Sequence, residues 1–119
     1  MRVCFRSQVD PQFLDEYRQR HAEVWPQMLT ALEAAGWENY TLHLGDDGLL
    51  IGIVDCDDLD EIRARMALTE VNARWQTEMA ALFPASETAP DNGFMVMEEV
   101  FNLDQQLAEA GPTSEGQMK

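Results

Sequence analysis

The chain has 119 residues, of which 45% are hydrophobic, and this is enough for one domain with a single core. Its 22 acidic and 8 basic residues give a formal net charge of −14. Such an excess of negative charge repels phosphate groups, so neither nucleic acid nor an anionic membrane surface is an expected partner.

The first residues, MRVCFRSQVDP, lack the sustained apolar run of a secretory signal, and no stretch of the chain approaches a membrane span. Cys4 and Cys56 are far apart in sequence, without a C-x-x-C pattern or neighbouring histidines. We therefore expect both to be reduced thiols, buried as small hydrophobic side chains, in a cytoplasmic protein.

The alternation of side chains over 2–9 predicts a half-buried strand. Asp10 is then a predicted helix N-cap, and Pro11 occupies the first helical turn, where its missing N–H is not needed. The helical pattern continues up to Gly36, which provides a C-terminal cap, with a bend near Pro26.

A hairpin follows, with strands predicted at 37–44 and 49–54 and a turn of sequence Gly-Asp-Asp-Gly at 45–48. The aspartates within 57–60 predict the start of a second helical region, because negative charge is stabilised at a helix N-terminus.

A further helix is predicted at 69–83, where apolar residues recur at helical spacing, and Pro84 ends it. The residues 85–93 have the composition of an irregular loop. An apolar-rich stretch at 94–103 predicts the last strand.

The predicted order is β-α-β-β-α-β, which is typical of the ferredoxin-like fold of the α+β class, an antiparallel sheet with helices on one face. Such a sheet leaves its other face open, and by analogy two copies pair their sheets into a dimeric α+β barrel. We assign this domain to residues 1–103. The tail, 104–119, mixes Gly, Pro, Ser and charged residues without periodicity, and we expect it to be disordered.

Three side chains recur at every fourth position in the run YRQRHAEVWP: Tyr17, His21 and Trp25. On a helix this spacing places a phenol, an imidazole and an indole along one face. Tyr40 on a predicted strand and Trp75 on a later helix are candidates to complete a polar pocket. Taken singly, each aromatic residue is better explained as part of the core.

His21 is the candidate proton shuttle, since an ordinary histidine pKa of about 6.5 allows proton exchange near neutrality. The other histidine, His43, lies on a predicted strand and is assigned no role. Motifs for dinucleotides, for nucleotide phosphates, for a serine nucleophile and for zinc are missing from the sequence. We therefore expect neither a cofactor nor a metal.

The order of these motifs along the chain resembles that of the L-rhamnose mutarotase family of small, cofactor-independent sugar epimerases. The most specific part is the run EY-x-x-RH-x-x-x-WP from Glu16 to Pro26. The other matches are QVDP at 8–11, G-x-x-NY at 36–40, RW at 74–75, FPA at 83–85 and EEVFNL at 98–103. The resemblance spans nearly all of residues 1–103 and leaves out the tail.

This resemblance implies an enzyme that interconverts the α and β anomers of a 6-deoxyhexose pyranose without a cofactor. His21 would be the catalytic proton donor, delivering to the ring oxygen, with Tyr17 or a bound water at the anomeric hydroxyl. Tyr17, Tyr40 and Trp75 would bind the sugar, and Trp25 is a further candidate for stacking on its apolar side.

One position departs from the family pattern. Where a second tryptophan often follows the first, this chain has Gln76, a candidate substrate-binding residue that offers hydrogen bonds in place of a stacking surface. Related enzymes act on L-fucose, so the substrate is L-rhamnose or, as an alternative, L-fucose. The expected partners are this deoxysugar and a second copy of the chain.

Two other functions are compatible with the same fold. A dimeric α+β barrel with a histidine and aromatic residues could oxidise aromatic compounds as a cofactor-free monooxygenase. The domain could also bind a small molecule without turnover. Oxygen uptake distinguishes the first from a mutarotase, and binding without anomeric exchange distinguishes the second.

Overall fold

The structure, a computed structural model, describes residues 1–83 and 95–110. A short 3-10 helix at Pro11–Phe13 follows the first strand. The strands are β1 (Arg2–Gln8), β2 (Glu38–Leu44), β3 (Leu49–Asp55) and β4 (Met95–Met97). The helices are α1 (Leu14–Ala22), α2 (Pro26–Ala35), α3 (Leu59–Ala67), α4 (Glu70–Ala80) and α5 (Leu103–Ala110).

The strands form one antiparallel sheet in the order β2-β3-β1-β4. Helices follow both the first strand and the hairpin, and this order along the chain and across the sheet is that of the ferredoxin-like fold. The predicted α+β class and topology are therefore confirmed. Asp58 and Thr69 cap α3 and α4 with their side chains.

The inner face of the sheet carries the core. Phe5, Leu50 and Val54 lie on this face and are almost fully buried. They belong to one cluster with buried helical side chains, among them Met79 of α4. At Gly52 of β3, a Cβ would come within 2.2 Å of the Phe5 ring, so this close approach requires glycine.

The outer face of the sheet is less covered and carries an apolar patch among polar side chains, since Ile51 pairs with Arg6 of β1 and His43 of β2. Alternate residues of the paired strands place Cys4, Ile51 and Ile53 side by side on it, with Met95 and Met97 of β4 at the edge. The two isoleucines are half-buried, and Met95 is 62% exposed.

The first helical region is divided at its centre. The sequence predicts one helix bent near Pro26, but α1 ends at Ala22 and α2 begins at Pro26. Trp25 has an extended backbone with ψ 132°, as the following proline ring requires. The two predicted caps are confirmed, since the Asp10 side chain accepts a backbone N–H of the first turn and Gly36 has φ 103°.

The C-terminal elements differ most from the prediction. The sequence predicts a strand over 94–103, whereas β4 contains three residues. It also predicts disorder from Asp104, whereas α5 forms at Leu103–Ala110. The Asn102 side chain accepts a hydrogen bond from the Gln105 N–H and so caps this helix, which the composition of the tail does not indicate.

Three predictions fall outside the described residues: the helix stop at Pro84, the loop at 85–93 and the end of the tail from residue 111. The domain boundary after residue 103 also stays a prediction. Within the residues that the structure describes, no helix has both the length and the apolar character needed to cross a membrane.

Gly52→Ala tests the close approach between β3 and Phe5. The added methyl group collides with the ring, and we expect the free energy of unfolding to fall by about 1–3 kcal/mol. Urea denaturation followed by circular dichroism measures this change. Gly45→Ala is the matched control, because the atom nearest to its Cβ is the end of the Asp47 side chain. An equal loss in both variants would contradict the steric argument.

Candidate active site

A cavity of about 340 Å³, within the range of small-molecule sites, opens between the inner face of the sheet and the helices. The aromatic lining residues are Tyr17, Trp37, Tyr40, Trp75 and Phe83. The aliphatic and sulfur-containing ones are Val24, Met28, Leu29, Leu32, Leu42, Leu50, Met66 and Met79. The remaining polar ones are His21, Arg63, Asn72 and Gln76.

Helix α1 brings Tyr17 and His21 together. Their rings are stacked, with centroids 4.0 Å apart and planes inclined by 23°. Phe83 meets the Tyr17 ring edge-on, with centroids 6.2 Å apart. Tyr17 is buried and His21 is half-buried. The spacing of four residues read from the sequence is therefore a direct contact at the wall of the cavity.

Trp75 of α4 meets His21 nearly at a right angle, with ring centroids 5.4 Å apart. Trp25 packs edge-on against Trp75 at 5.1 Å, but it does not itself line the cavity. Trp25 thus supports Trp75, and its role in stacking on the sugar stays a prediction.

Tyr40 reaches the cavity through an irregularity in β2. The pairing of β2 with β3 shifts between Glu38 and Thr41, and Asn39 has a left-handed backbone with φ 51°. Asparagine tolerates this conformation better than most residues. The two residues of the NY motif therefore have different structural roles. Asn39 adopts the backbone conformation of the bulge, and Tyr40 packs beside Trp37 with ring centroids 4.7 Å apart.

A backbone hydrogen bond fixes the protonation pattern of His21. Its Nδ1 lies 3.0 Å from the carbonyl oxygen of Tyr17, which can only accept, so Nδ1 carries a proton. Burial lowers the pKa of His21 from its ordinary value of 6.5, and the bond to the carbonyl opposes this shift only in part. Near neutral pH the imidazole is therefore neutral, with Nε2 as an acceptor.

The two tyrosine hydroxyls in the cavity keep their protons. Burial raises the pKa of Tyr17 well above its ordinary value. Burial also raises the pKa of Tyr40, and the nearby Tyr17 adds to that shift. Both remain neutral phenols that donate and accept hydrogen bonds near neutral pH. The base that the cavity offers is therefore His21.

Gln76 lines the cavity as the sequence predicts, but two further polar residues were not foreseen. Asn72 lies one turn earlier on α4 and is only 5% exposed. Arg63 of α3 is half-buried. The four-residue spacing from Asn72 to Gln76 was visible in the sequence, but no pattern indicated that both amides turn inward.

The cavity does not share the acidity of the chain. Its lining contains no aspartate or glutamate among the described residues, although the net charge is −14. Acidic side chains lie instead in surface ion pairs, such as those of Arg20 with Glu16 and Glu78. In the described part of the chain, no group of three or more His, Cys, Asp or Glu side chains could hold a metal ion.

The fold and the site first define a class of protein. A ferredoxin-like domain with a neutral histidine, buried phenols and an indole around an apolar cavity is suited to acid–base chemistry on a small ligand. Comparison of the chain with known families gives the particular assignment. A family model described as L-rhamnose mutarotase matches residues 2–103, and the protein belongs to this family. The resemblance read from its motifs is confirmed.

Individual relatives agree with this placement. An L-rhamnose mutarotase from Burkholderia orbicola (strain MC0-3) is 36% identical over 104 residues, which are 86% of this chain and 97% of the relative. One from Bacillus subtilis (strain 168) is 38% identical over 92 residues, 76% of this chain and 86% of the relative. The crystal structure of an L-rhamnose mutarotase from Formosa agariphila superposes with a TM-score of 0.68 at 22% identity, covering 86% of this chain and 97% of that chain, and supports the fold. Family membership makes the protein an isomerase.

The tautomer and the pKa of His21 can be measured directly. We expect a protonated Nδ1 in the neutral ring and a titration midpoint below 6.5, because burial disfavours the charged form. Two-dimensional ¹H–¹⁵N NMR of the ring nitrogens between about pH 5 and about pH 8 measures both, across the range in which histidine titrates. The spectrum of His21→Asn assigns the signals. A midpoint above 6.5, or a neutral ring with its proton on Nε2, would contradict the assignment.

Proposed function

We propose that this protein interconverts the α and β anomers of L-rhamnose. The observation that carries the proposal is the meeting of His21, Tyr17, Tyr40 and Trp75 around one cavity in a chain of the L-rhamnose mutarotase family. Such a sugar has a methyl group and several hydroxyls. The apolar walls suit the methyl group, while the imidazole and the phenols suit the hydroxyls.

Ring opening needs a proton to leave the anomeric hydroxyl and a proton to reach the ring oxygen. Neutral His21 accepts the anomeric proton at Nε2, the anomeric oxygen becomes a carbonyl oxygen, and the bond between C1 and the ring oxygen breaks. The imidazolium then donates its proton to the ring oxygen. The open aldehyde rotates about the C1–C2 bond and closes again, giving the other anomer.

This order of proton transfers revises the hypothesis drawn from the amino-acid sequence. In that hypothesis His21 begins protonated and acts as the proton donor. The lowered pKa of His21 makes the neutral ring the resting form, so His21 acts first as a base and then as an acid. Tyr17, held neutral by burial, donates a hydrogen bond to the reacting oxygens. Tyr40 and Gln76 bind ring hydroxyls, and Trp75 offers a flat surface to the apolar side of the sugar.

His21→Ala removes the proton acceptor and should leave the fold intact. We expect the catalysed anomeric exchange of L-rhamnose to slow by about 10²- to 10⁴-fold, the range for a general acid–base group. Saturation-transfer NMR measures this exchange, and parallel samples of L-fucose rank the two sugars. Gln19→Ala, exposed on the same helix, is the matched control and should exchange at the wild-type rate.

Two results would count against this function. Wild-type protein that binds the sugar without accelerating exchange would contradict the mutarotase activity and favour a binding module. Unchanged exchange in His21→Ala would contradict the role of His21.

We further propose a homodimer in which two sheets pair through their outer faces. Ile51 and Ile53 lie half-buried at the centre of this face, and Met95 at its edge is 62% exposed. Phe101 and Leu107, in the segment that follows β4, are also apolar and are 60% and 53% exposed. A second copy of the chain would remove these apolar side chains from water, which is the main driving force of such associations.

Ile53→Glu places a charge at the centre of the outer face, where the paired residues Cys4 and Thr41 are uncharged. We expect this variant to be monomeric, because pairing two such faces would bury like charges without partners. Size-exclusion chromatography with light scattering measures the mass. Leu68→Glu, at an 88% exposed position after α3, is the matched control and should stay dimeric. A monomeric wild type, or a dimeric Ile53→Glu protein, would contradict the proposed interface.

We also place the protein in the cytoplasm. Cys4 and Cys56 are both free thiols, which fits a reducing compartment. In this location, the deoxysugar substrate has to be present in the cytoplasm.

A further inference from the structure

The side-chain amide of Gln76 has a hydrogen-bond partner for its nitrogen but none for its oxygen. Its Nε2 donates to Oδ1 of Asn72, one turn earlier on α4, over 3.2 Å. Its Oε1 is buried and has no hydrogen-bond partner, which is true of no other buried side-chain nitrogen or oxygen within residues 1–83 and 95–110. Both residues line the cavity.

A buried acceptor without a donor costs free energy, and proteins rarely leave one in place without a reason. Asn72 does not supply the missing donor, because the two amides meet through Gln76 Nε2 and Asn72 Oδ1, and no N–H of Asn72 reaches Oε1. The cavity is the adjoining space from which a donor can come. The terminal torsion of a glutamine side chain has a broad energy minimum, so a small rotation turns Oε1 toward a ligand there.

We propose that Asn72 and Gln76 together determine the specificity of this site. Asn72 is the positioning residue that holds the amide, and Gln76 Oε1 accepts a hydrogen bond from one ring hydroxyl of the bound sugar. This inference rests on the proposed function, because it takes the ligand of the cavity to be a deoxyhexose.

The residue type at position 76 matters for the direction of this hydrogen bond. The free oxygen of Gln76 can only accept a hydrogen bond, whereas an indole at the same position could only donate one through its N–H. A site built around a buried polar group rejects an analogue that lacks the matching hydroxyl more strongly than an apolar wall does. Gln76 therefore makes this chain select a sugar by the presence and orientation of one hydroxyl.

The test compares L-rhamnose with analogues that lack the hydroxyl at C2, C3 or C4. Isothermal titration calorimetry gives dissociation constants for the wild type, for Gln76→Leu, and for Gln19→Leu, the same substitution at an exposed position of α1. In the wild type and in Gln19→Leu, the analogue that lacks the recognised hydroxyl should bind about three- to tenfold more weakly than L-rhamnose.

In Gln76→Leu, L-rhamnose itself should bind more weakly by a similar factor. The analogue that lacks the recognised hydroxyl should then bind as well as L-rhamnose does, so that its penalty, the loss of affinity relative to L-rhamnose, disappears. The penalties for the other analogues should stay. The proposal would be overturned if each of the three analogues had the same penalty in Gln76→Leu as in the wild type.

Asn72→Leu tests the positioning role. Alone it should weaken the binding of L-rhamnose, and added to Gln76→Leu it should cause no further loss, because both residues act through one oxygen. Asn72→Ala provides the same comparison if circular dichroism shows that the larger side chain prevents folding. Additive losses would overturn the role of Asn72.

The exchange assay separates this inference from the proposed function. Wild-type protein that binds the sugars but does not accelerate exchange contradicts the mutarotase activity, while the comparison of hydroxyls still decides the role of Gln76. Wild-type protein that binds none of these sugars overturns both.

Discussion

The site depends on the point at which α1 ends. Pro26 cannot continue the hydrogen bonding of α1 and keeps Trp25 extended, so the helix stops at Ala22. His21 consequently lies in the last turn, where its Nδ1 bonds to the carbonyl of Tyr17 and its ring stacks on the ring of the same residue. These two contacts fix both the orientation of the imidazole and the nitrogen that remains available for proton exchange.

Features that depend on local geometry could be predicted from the sequence. The contact between Tyr17 and His21 follows from the helical repeat, which places residues four positions apart on one face. The cap at Gly36 follows from the left-handed backbone that this position needs. The pocket role of Tyr40 was also indicated, although the reason for the preceding Asn39, a bulge in β2, is visible only in the structure.

Features that depend on the position of another segment could not be predicted in this way. Trp25 continues the row of Tyr17 and His21 in sequence, yet after the break before Pro26 it packs edge-on against Trp75 and is not among the residues that line the cavity. Asparagine is common at exposed positions of helices, so the sequence gives no sign that Asn72 is buried. Only the packing of α4 in the folded chain buries it in the lining of the cavity. The protonation state of His21 is likewise a result of burial, which a single sequence does not specify.

The central claim is that a neutral His21 in an apolar cavity is the base that opens the sugar ring. The most direct test is the pH dependence of the exchange of L-rhamnose anomers by the wild-type protein, measured by NMR after subtraction of the enzyme-free rate. We expect a constant rate above the ordinary histidine pKa of 6.5 and a fall as the pH drops through the lowered pKa of His21, because protonation removes the acceptor. A catalysed rate that rises as the pH falls, or no catalysed exchange at any pH, would contradict the claim.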